Sequence, residues 1–287
     1  MMTSFMQSVT QCMNYALQVG ALQPIQFHSE AVQTHDMAFQ VCWIPALSAK
    51  ANGLPTGFPG GPCNPDVNPF LPPDPTLTIG RLGDYHHAVL NKFPVCEHHL
   101  VIPRVEYADQ RSPLQYEDFL ALSLLLTEYG GLGFFNGGPQ AGASQHHLHV
   151  QWLPEDSSHA SLLPFVRDLD PDLEHQPQQH HHWKFSHAFV YVGLPLDPHE
   201  YARELYQCYQ RLCQQLQLKI DAHGFMTPCN LLIHQGWLLV VPRSQNQFND
   251  ISLNALSFAG VIYVREKEHI QLVKDQGVLQ VLQAVAT

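Results

Sequence analysis

The chain has 287 residues, 45% of them hydrophobic and only 14% charged, with a formal net charge of -11. That is enough apolar material for a substantial core, in two modest domains or one large one. The acidic balance excludes broad nucleic-acid or acidic-membrane binding, each of which needs a basic surface. The seven Cys are scattered without a CxxC pair, which is the pattern of a reduced, cytoplasmic protein. No Lys or Arg precedes Lys50, so a secretory leader's basic start is missing. No apolar run nears the ~18 residues that a membrane span needs.

In chain order, residues 3–18 have the spacing of an amphipathic helix, with Phe5, Val9, Met13 and Ala16 on one face. Phe39 to Ile44 reads as a strand. Residues 51–75 are too rich in Pro and Gly for regular structure. Tyr85–Phe93 and His98–Ile102 form an expected hairpin that ends at Pro103-Arg104. Ser112-Pro113 has the chemistry of a helix start, and the helix runs to Gly130-Gly131. A short strand at Gly133–Asn136 follows. Residues 154–182 turn polar and mark a junction; His180-His181-His182 within it reads as exposed linker. Beyond lie a strand at Phe185–Val192, a helix opened by Asp197-Pro198, and a hairpin of Asn230–Ile233 with Trp237–Val241. The two hairpins resemble each other. The organisation read from this is a catalytic half at 1–160, a polar junction at 161–184, and a related half at 185–287 without the catalytic histidine.

The most informative segment is Ser144-Gln145-His146-His147-Leu148-His149-Val150-Gln151-Trp152, preceded by the loop Asn136-Gly137-Gly138-Pro139-Gln140-Ala141-Gly142-Ala143. On a strand, His147, His149 and Gln151 share one face, and Leu148, Val150 and Trp152 the other. A neutral imidazole can attack phosphorus through one nitrogen while the other donates to a fixed acceptor. The glycine-rich loop offers amide hydrogens and close approach to a phosphate. Two His at this spacing can also be structural or ligate zinc, but the Gln two residues on is a poor zinc ligand and a good donor to a phosphoryl oxygen. Cys96, His98 and His99 crowd one turn and cannot all converge on a metal. Arg104 and Arg243 close hairpins and can simply cap strands.

This segment, with Asn68-Pro69-Phe70-Leu71-Pro72, Leu90-Asn91-Lys92-Phe93 and Val240-Val241-Pro242-Arg243, resembles the diadenosine tetraphosphate phosphorylase (ATP adenylyltransferase) family of the histidine-triad superfamily. The resemblance spans about residues 35–265. It implies an α+β, HIT-like fold of antiparallel sheets with flanking helices. It also implies phosphorolysis of diadenosine tetraphosphate to ATP and ADP, and the reverse adenylyl transfer, through an adenylyl-histidine. His149 is then the nucleophile, Gln151 holds the α-phosphate and His147 orients the strand. Lys50, Asn91, Lys92, Asn136, Gly142, Ala143, Ser144, Gln145, Asn230 and Arg243 are its expected nucleotide- and phosphate-binding residues. Mg2+, or another divalent ion, is expected to be bound mainly through substrate phosphates, with no dedicated protein metal site. The expected partners are small nucleotides and phosphate, without nucleic acid or membrane, for a monomer or homodimer. The alternatives are transfer to a sugar phosphate or sulfate, and a nucleotide-binding protein without turnover.

Overall fold

A computed structural model describes residues 4–48, 67–155 and 159–287. Lys50 and most of the Pro/Gly-rich segment lie outside the described residues. The elements are α1 (Phe5–Gln18), β1 (His28–Thr34), β2 (Met37–Trp43), α2 (Pro45–Ser48), β3 (Thr78–Leu82), β4 (His86–Leu90) and β5 (Leu100–Pro103). Then come α3 (Tyr116–Tyr129), β6 (Leu132–Gly137), β7 (His149–Leu153), β8 (Ala188–Tyr191), α4 (Pro198–Gln215), β9 (Cys229–His234) and β10 (Trp237–Pro242). Two short strands, β11 (Gln247–Phe248) and β12 (Ile251–Ser252), precede β13 (Val261–Val264), α5 (Glu268–Gln276) and α6 (Val278–Val285).

The helices form where caps and apolar spacing agree. Ser4 caps α1 by accepting from the Gln7 N–H, while Gln7 Oε1 accepts from the Ser4 N–H. Asp197 caps α4 in the same sense. α3 begins later than the Ser-Pro signal suggested. Gln115 precedes its first turn, and its N–H donates to Asp118 at 2.7 Å. The helix stops at Gly130, whose φ of 65° suits a residue without a Cβ. The next residue, Gly131, could be nothing else: a Cβ there would sit 2.2 Å from the Leu153 carbonyl oxygen.

An eight-stranded sheet in the order β3-β4-β5-β7-β6-β9-β10-β8 divides the molecule. All its pairings are antiparallel, and β6 against β9 joins the two hairpin regions into one surface. Alternation along each strand sends side chains to two different cores. On one face Val150 and Trp152 of β7, with Leu231 and Ile233 of β9, pack with Val9 of α1, Phe119 of α3 and Leu205 of α4. On the other face Leu153, Leu232 and Leu239 pack with β2, β13, α5 and α6. There β2 lies between β1 and β13, antiparallel to the first and parallel to the second. The fold is thus α+β and three-layered, with an N-terminal strand paired to a C-terminal one.

The region read as a polar junction is built into this second core. Leu162, Phe165 and Trp183 are all buried there. His180 is only 4% exposed, so the histidine run is not a fully solvated linker. No helix among the described residues is long and apolar enough to cross a membrane.

Candidate active site

β7 runs between β5 and β6, so its side chains are held from both sides. The strand starts at His149; His147 precedes it, bridged to Asp109. Buried Gln110 clamps the entry. Its Oε1 accepts from the His149 N–H at 2.7 Å, and its Nε2 donates to the carbonyls of His149 at 3.1 Å and Asn136 at 2.9 Å. The glycine loop and the histidine strand are thereby fixed to one carboxamide.

His149 and Gln151 line a cavity of about 420 Å³ on the sheet face away from α1, α3 and α4. Asn91, Asn136, Gly142, Ala143 and Ser144 line it too. Its far wall comes from the C-terminal region, including Leu253, Asn254, Tyr263 and Arg265. Among the described lining residues Arg265 is the only Lys or Arg and no carboxylate is present, which suits a negatively charged ligand.

The imidazole of His149 is 5% exposed and its Nδ1 lies 2.8 Å from the His147 carbonyl oxygen. A carbonyl only accepts, so Nδ1 carries the proton and the Nε2 lone pair remains for chemistry. Burial pushes the pKa of His149 down to about 4, so the ring is neutral at pH 7. A positive charge formed on the ring by attack through Nε2 would be stabilised by the Nδ1–H···O=C bond.

His147 does something different. Its Nε2 donates to the Arg104 carbonyl at 2.8 Å, and its Nδ1 accepts from the Asn68 amide at 3.0 Å. Its ring borders a neighbouring pocket with Asn68, Tyr107 and Arg111 instead of the main cavity. It is therefore the His147 main chain that orients His149. Below it, Arg104 grips Asp118 from Nε at 2.9 Å and from Nη2, and His86 meets the same carboxylate at 3.0 Å. Burial would raise the Asp118 pKa, but the hydrogen bonds from Arg104 and His86 overcome it and hold the carboxyl below its ordinary value. Arg104 is thus a half-buried brace under the histidine segment, anchored on the buried Asp118.

Three side chains of the site were given no role in it by the sequence reading. His99, set aside there as one of three residues crowded on a turn, is 3% exposed; it lines the cavity with Nε2 3.0 Å from Gln151 Oε1. It is carried there by the pairing of its neighbour Leu100 with Trp152, which no local pattern announces. Phe70, from the Asn-Pro-Phe-Leu-Pro segment, sets its ring 5.3 Å from that of His149 and 5.8 Å from that of His147. Gln110 has no local sequence signature.

Four expected ligand residues lie elsewhere. Lys92 is exposed, with Nζ 5.7 Å from the centre of the Phe93 ring, and is not in the cavity wall. Gln145 is buried without lining the cavity. Asn230 and Arg243 are buried beneath the glycine loop. Asn230 Nδ2 donates to Asn136 Oδ1 and the Ala141 carbonyl, each at 2.8 Å. Arg243 donates to Asn230 Oδ1 and to the carbonyls of Val285 at 3.0 Å, Gln245 at 2.8 Å and Leu253 at 3.1 Å. All their assigned donors face protein, so both residues build the loop's floor. Gly142 rests against that floor with φ 88°; a Cβ would come within 2.7 Å of Asn254 Cβ and the Leu253 carbonyl oxygen.

Residues 2–168 match the Ap4A phosphorylase N-terminal domain model, and residues 181–287 the ATP adenylyltransferase C-terminal domain model. The chain belongs to the Ap4A phosphorylase family. A relative in Saccharomyces cerevisiae, diadenosine 5',5'''-P1,P4-tetraphosphate phosphorylase 2, is 28% identical over 71% of this chain and 70% of its own. Yeast Ap4A phosphorylase Apa2 superposes with a TM-score of 0.78 at 23% identity, covering 99% of this chain and 95% of that one. The same protein in complex with Ap4A gives 0.75 at 21% identity, over 99% and 98% of the two chains. The likeness in fold therefore extends along this chain, from the helix before β1 to the strand and helices after the cavity.

Proposed function

We propose that this Ap4A phosphorylase family member cleaves diadenosine tetraphosphate with inorganic phosphate, giving ATP and ADP, by two displacements through His149. The observation that carries the reading is the tautomer: Nδ1–H is tied to the His147 carbonyl, and a neutral Nε2 remains on a ring lining the cavity. In the first displacement Nε2 attacks an α-phosphorus. An N–P bond forms, the bond to the bridging oxygen breaks, and ATP leaves with the electron pair. In the second, a phosphate oxygen attacks the adenylyl-histidine, the N–P bond breaks, and ADP leaves as the lone pair returns to Nε2. Gln151 donates its amide hydrogens to the nucleotidyl oxygens throughout. It has no proton to shuttle, and ATP needs none as a leaving group.

Magnesium fits this cavity as an ion held by substrate phosphates. The wall offers neutral amide and hydroxyl oxygens and no carboxylate among the described residues. Bound there, it would neutralise the polyphosphate, while Arg265, Ser144 and the loop amides of Gly142 and Ala143 are placed along the same wall.

The test is product analysis with diadenosine tetraphosphate, with and without phosphate. ATP and ADP in equal amounts, formed only when phosphate is present, support the proposal. AMP in place of ADP makes water the acceptor. Turnover that needs a sugar phosphate or sulfate assigns a different acceptor, and binding without turnover removes the enzyme reading.

A further inference from the structure

A second group of chemically competent side chains lies away from the cavity. Asp168, His180 and His181 each present one ligand atom, and these atoms lie within 4.8 Å of one another. Asp168 and His180 border a separate pocket of about 460 Å³ that also includes His35, Asp36, Arg167 and His182. The His182 ring stacks on that of His35, in the β1–β2 turn, with centroids 3.7 Å apart and 5° between planes. It also lies 3.8 Å from the His181 ring.

We propose that Asp168, His180 and His181 bind a divalent ion of the zinc class, clipping together the two ends of the segment that links the halves of the molecule. Two imidazoles and a carboxylate are the donor set that zinc takes at about 2.0–2.2 Å, with water completing a tetrahedron. Magnesium, which wants oxygen ligands in an octahedron, is the wrong ion for it. Small rotations of the two exposed members, Asp168 and His181, would close 4.8 Å to the spacing of ligands around one ion.

His180 is already positioned. Its main-chain N–H donates to His187 Nε2 at 2.9 Å, and His187 Nδ1 donates to the Phe185 carbonyl at 2.8 Å. Its ring packs 5.7 Å from Trp183. His180 Nδ1 accepts from the His182 N–H at 3.2 Å, a contact that an ion on that nitrogen would displace. Charge around the pocket is mixed: Arg167 opposes a cation, while Asp36 and Asp168 favour one.

The experiment uses the tag-free full-length chain, stripped with chelator, titrated with ZnCl2 in the presence of Mg2+, and compared with an Asp168→Asn, His181→Gln double variant. Both substitutions are on the surface and away from the cavity, so phosphorolysis measured with Mg2+ alone stays at the wild-type level and reports an intact fold. The wild type should bind one zinc ion more tightly than the variant does, by more than about 100-fold, since even an outer-shell partner is worth ~10–100-fold. Zinc should also raise the melting temperature of the wild type and leave that of the variant unchanged. Equal zinc affinity and stoichiometry in the two proteins, or no zinc-dependent rise in wild-type melting, would overturn the proposal.

Discussion

His99 Nε2 lies 3.0 Å from Gln151 Oε1, and this contact decides which end of the Gln151 carboxamide is left for the cavity. Gln151 Oε1 can only accept, so His99 Nε2 carries the hydrogen; the Asn91 amide, 3.3 Å from Nδ1 and 3.4 Å from Nε2, packs against the same ring. Gln151 then keeps its NH2 group for a phosphoryl oxygen. Replacing His99 by Phe removes the donor while keeping a ring in place. We expect kcat/KM for diadenosine tetraphosphate to fall ~10–100-fold, the effect of about 1–3 kcal/mol from a buried group left without its partner. Unchanged kinetics in His99→Phe would show that Gln151 orients itself.

The buried histidines set a pH dependence. Burial depresses the pKa of both His99 and His149 to about 4. The folded protein therefore keeps these rings neutral where an unfolded chain, with histidines near ~6.5, binds protons. The stabilising contribution is fully present above that unfolded value and is lost as pH falls toward 4. The urea midpoint should drop across that window. The NMR signals of the His149 ring should not titrate between about pH 8 and pH 5. A His149 titration centred near ~6.5 contradicts the buried, neutral nucleophile.

Arg243 separates a structural from a ligand role. Burial lowers its pKa to about 9, yet its guanidinium is satisfied by main-chain carbonyls and Asn230. Arg243→Met would leave these carbonyls and the Asn230 side chain without their donor. We expect a loss of about 3–5 kcal/mol of stability by denaturant unfolding, the scale for one member of a buried polar network. If Arg243 instead served only to hold phosphate, KM would rise and the unfolding midpoint would stay in place.

Gly142 tests the loop. Its positive φ and the 2.7 Å approach to the 253–254 main chain leave no room for a methyl group. Gly142→Ala should cost about 1–3 kcal/mol of stability and raise KM by displacing the Ala143 and Ser144 amides. Wild-type KM with an unshifted midpoint would mean that the loop is not held against this wall.

The histidine strand was legible because one short segment carries its whole signal: alternation sets Val150 and Trp152 in the core and leaves His149 and Gln151 for the cavity. The antiparallel α+β character and the three longest helices, α1, α3 and α4, were legible for the same local reasons, while α2, α5 and α6 were not. The site's other components depend on distant pairings. His99 reaches Gln151 only because β5 lies beside β7, and Gln110 reaches the glycine loop across the turn that follows β5. Arg265 enters the wall because β13 pairs with β2 at the opposite end of the chain. β1 and β3 were missed because neither has a clean apolar alternation: β1 is largely exposed, and β3 is interrupted by Gly80 and a register shift. Lys92 and Arg243 show the converse. A motif can mark a residue without saying whether it meets the ligand or the scaffold.

Covalent transfer through one imidazole is tested most directly by mixing the enzyme with diadenosine tetraphosphate labelled at an α-phosphate, omitting inorganic phosphate, and mapping the label. The account predicts an acid-labile adenylyl group on His149, released as ADP when phosphate is added, and no label on a folded His149→Ala variant. Label on another residue, or rapid turnover by the wild type with no labelled protein at any time, would contradict it.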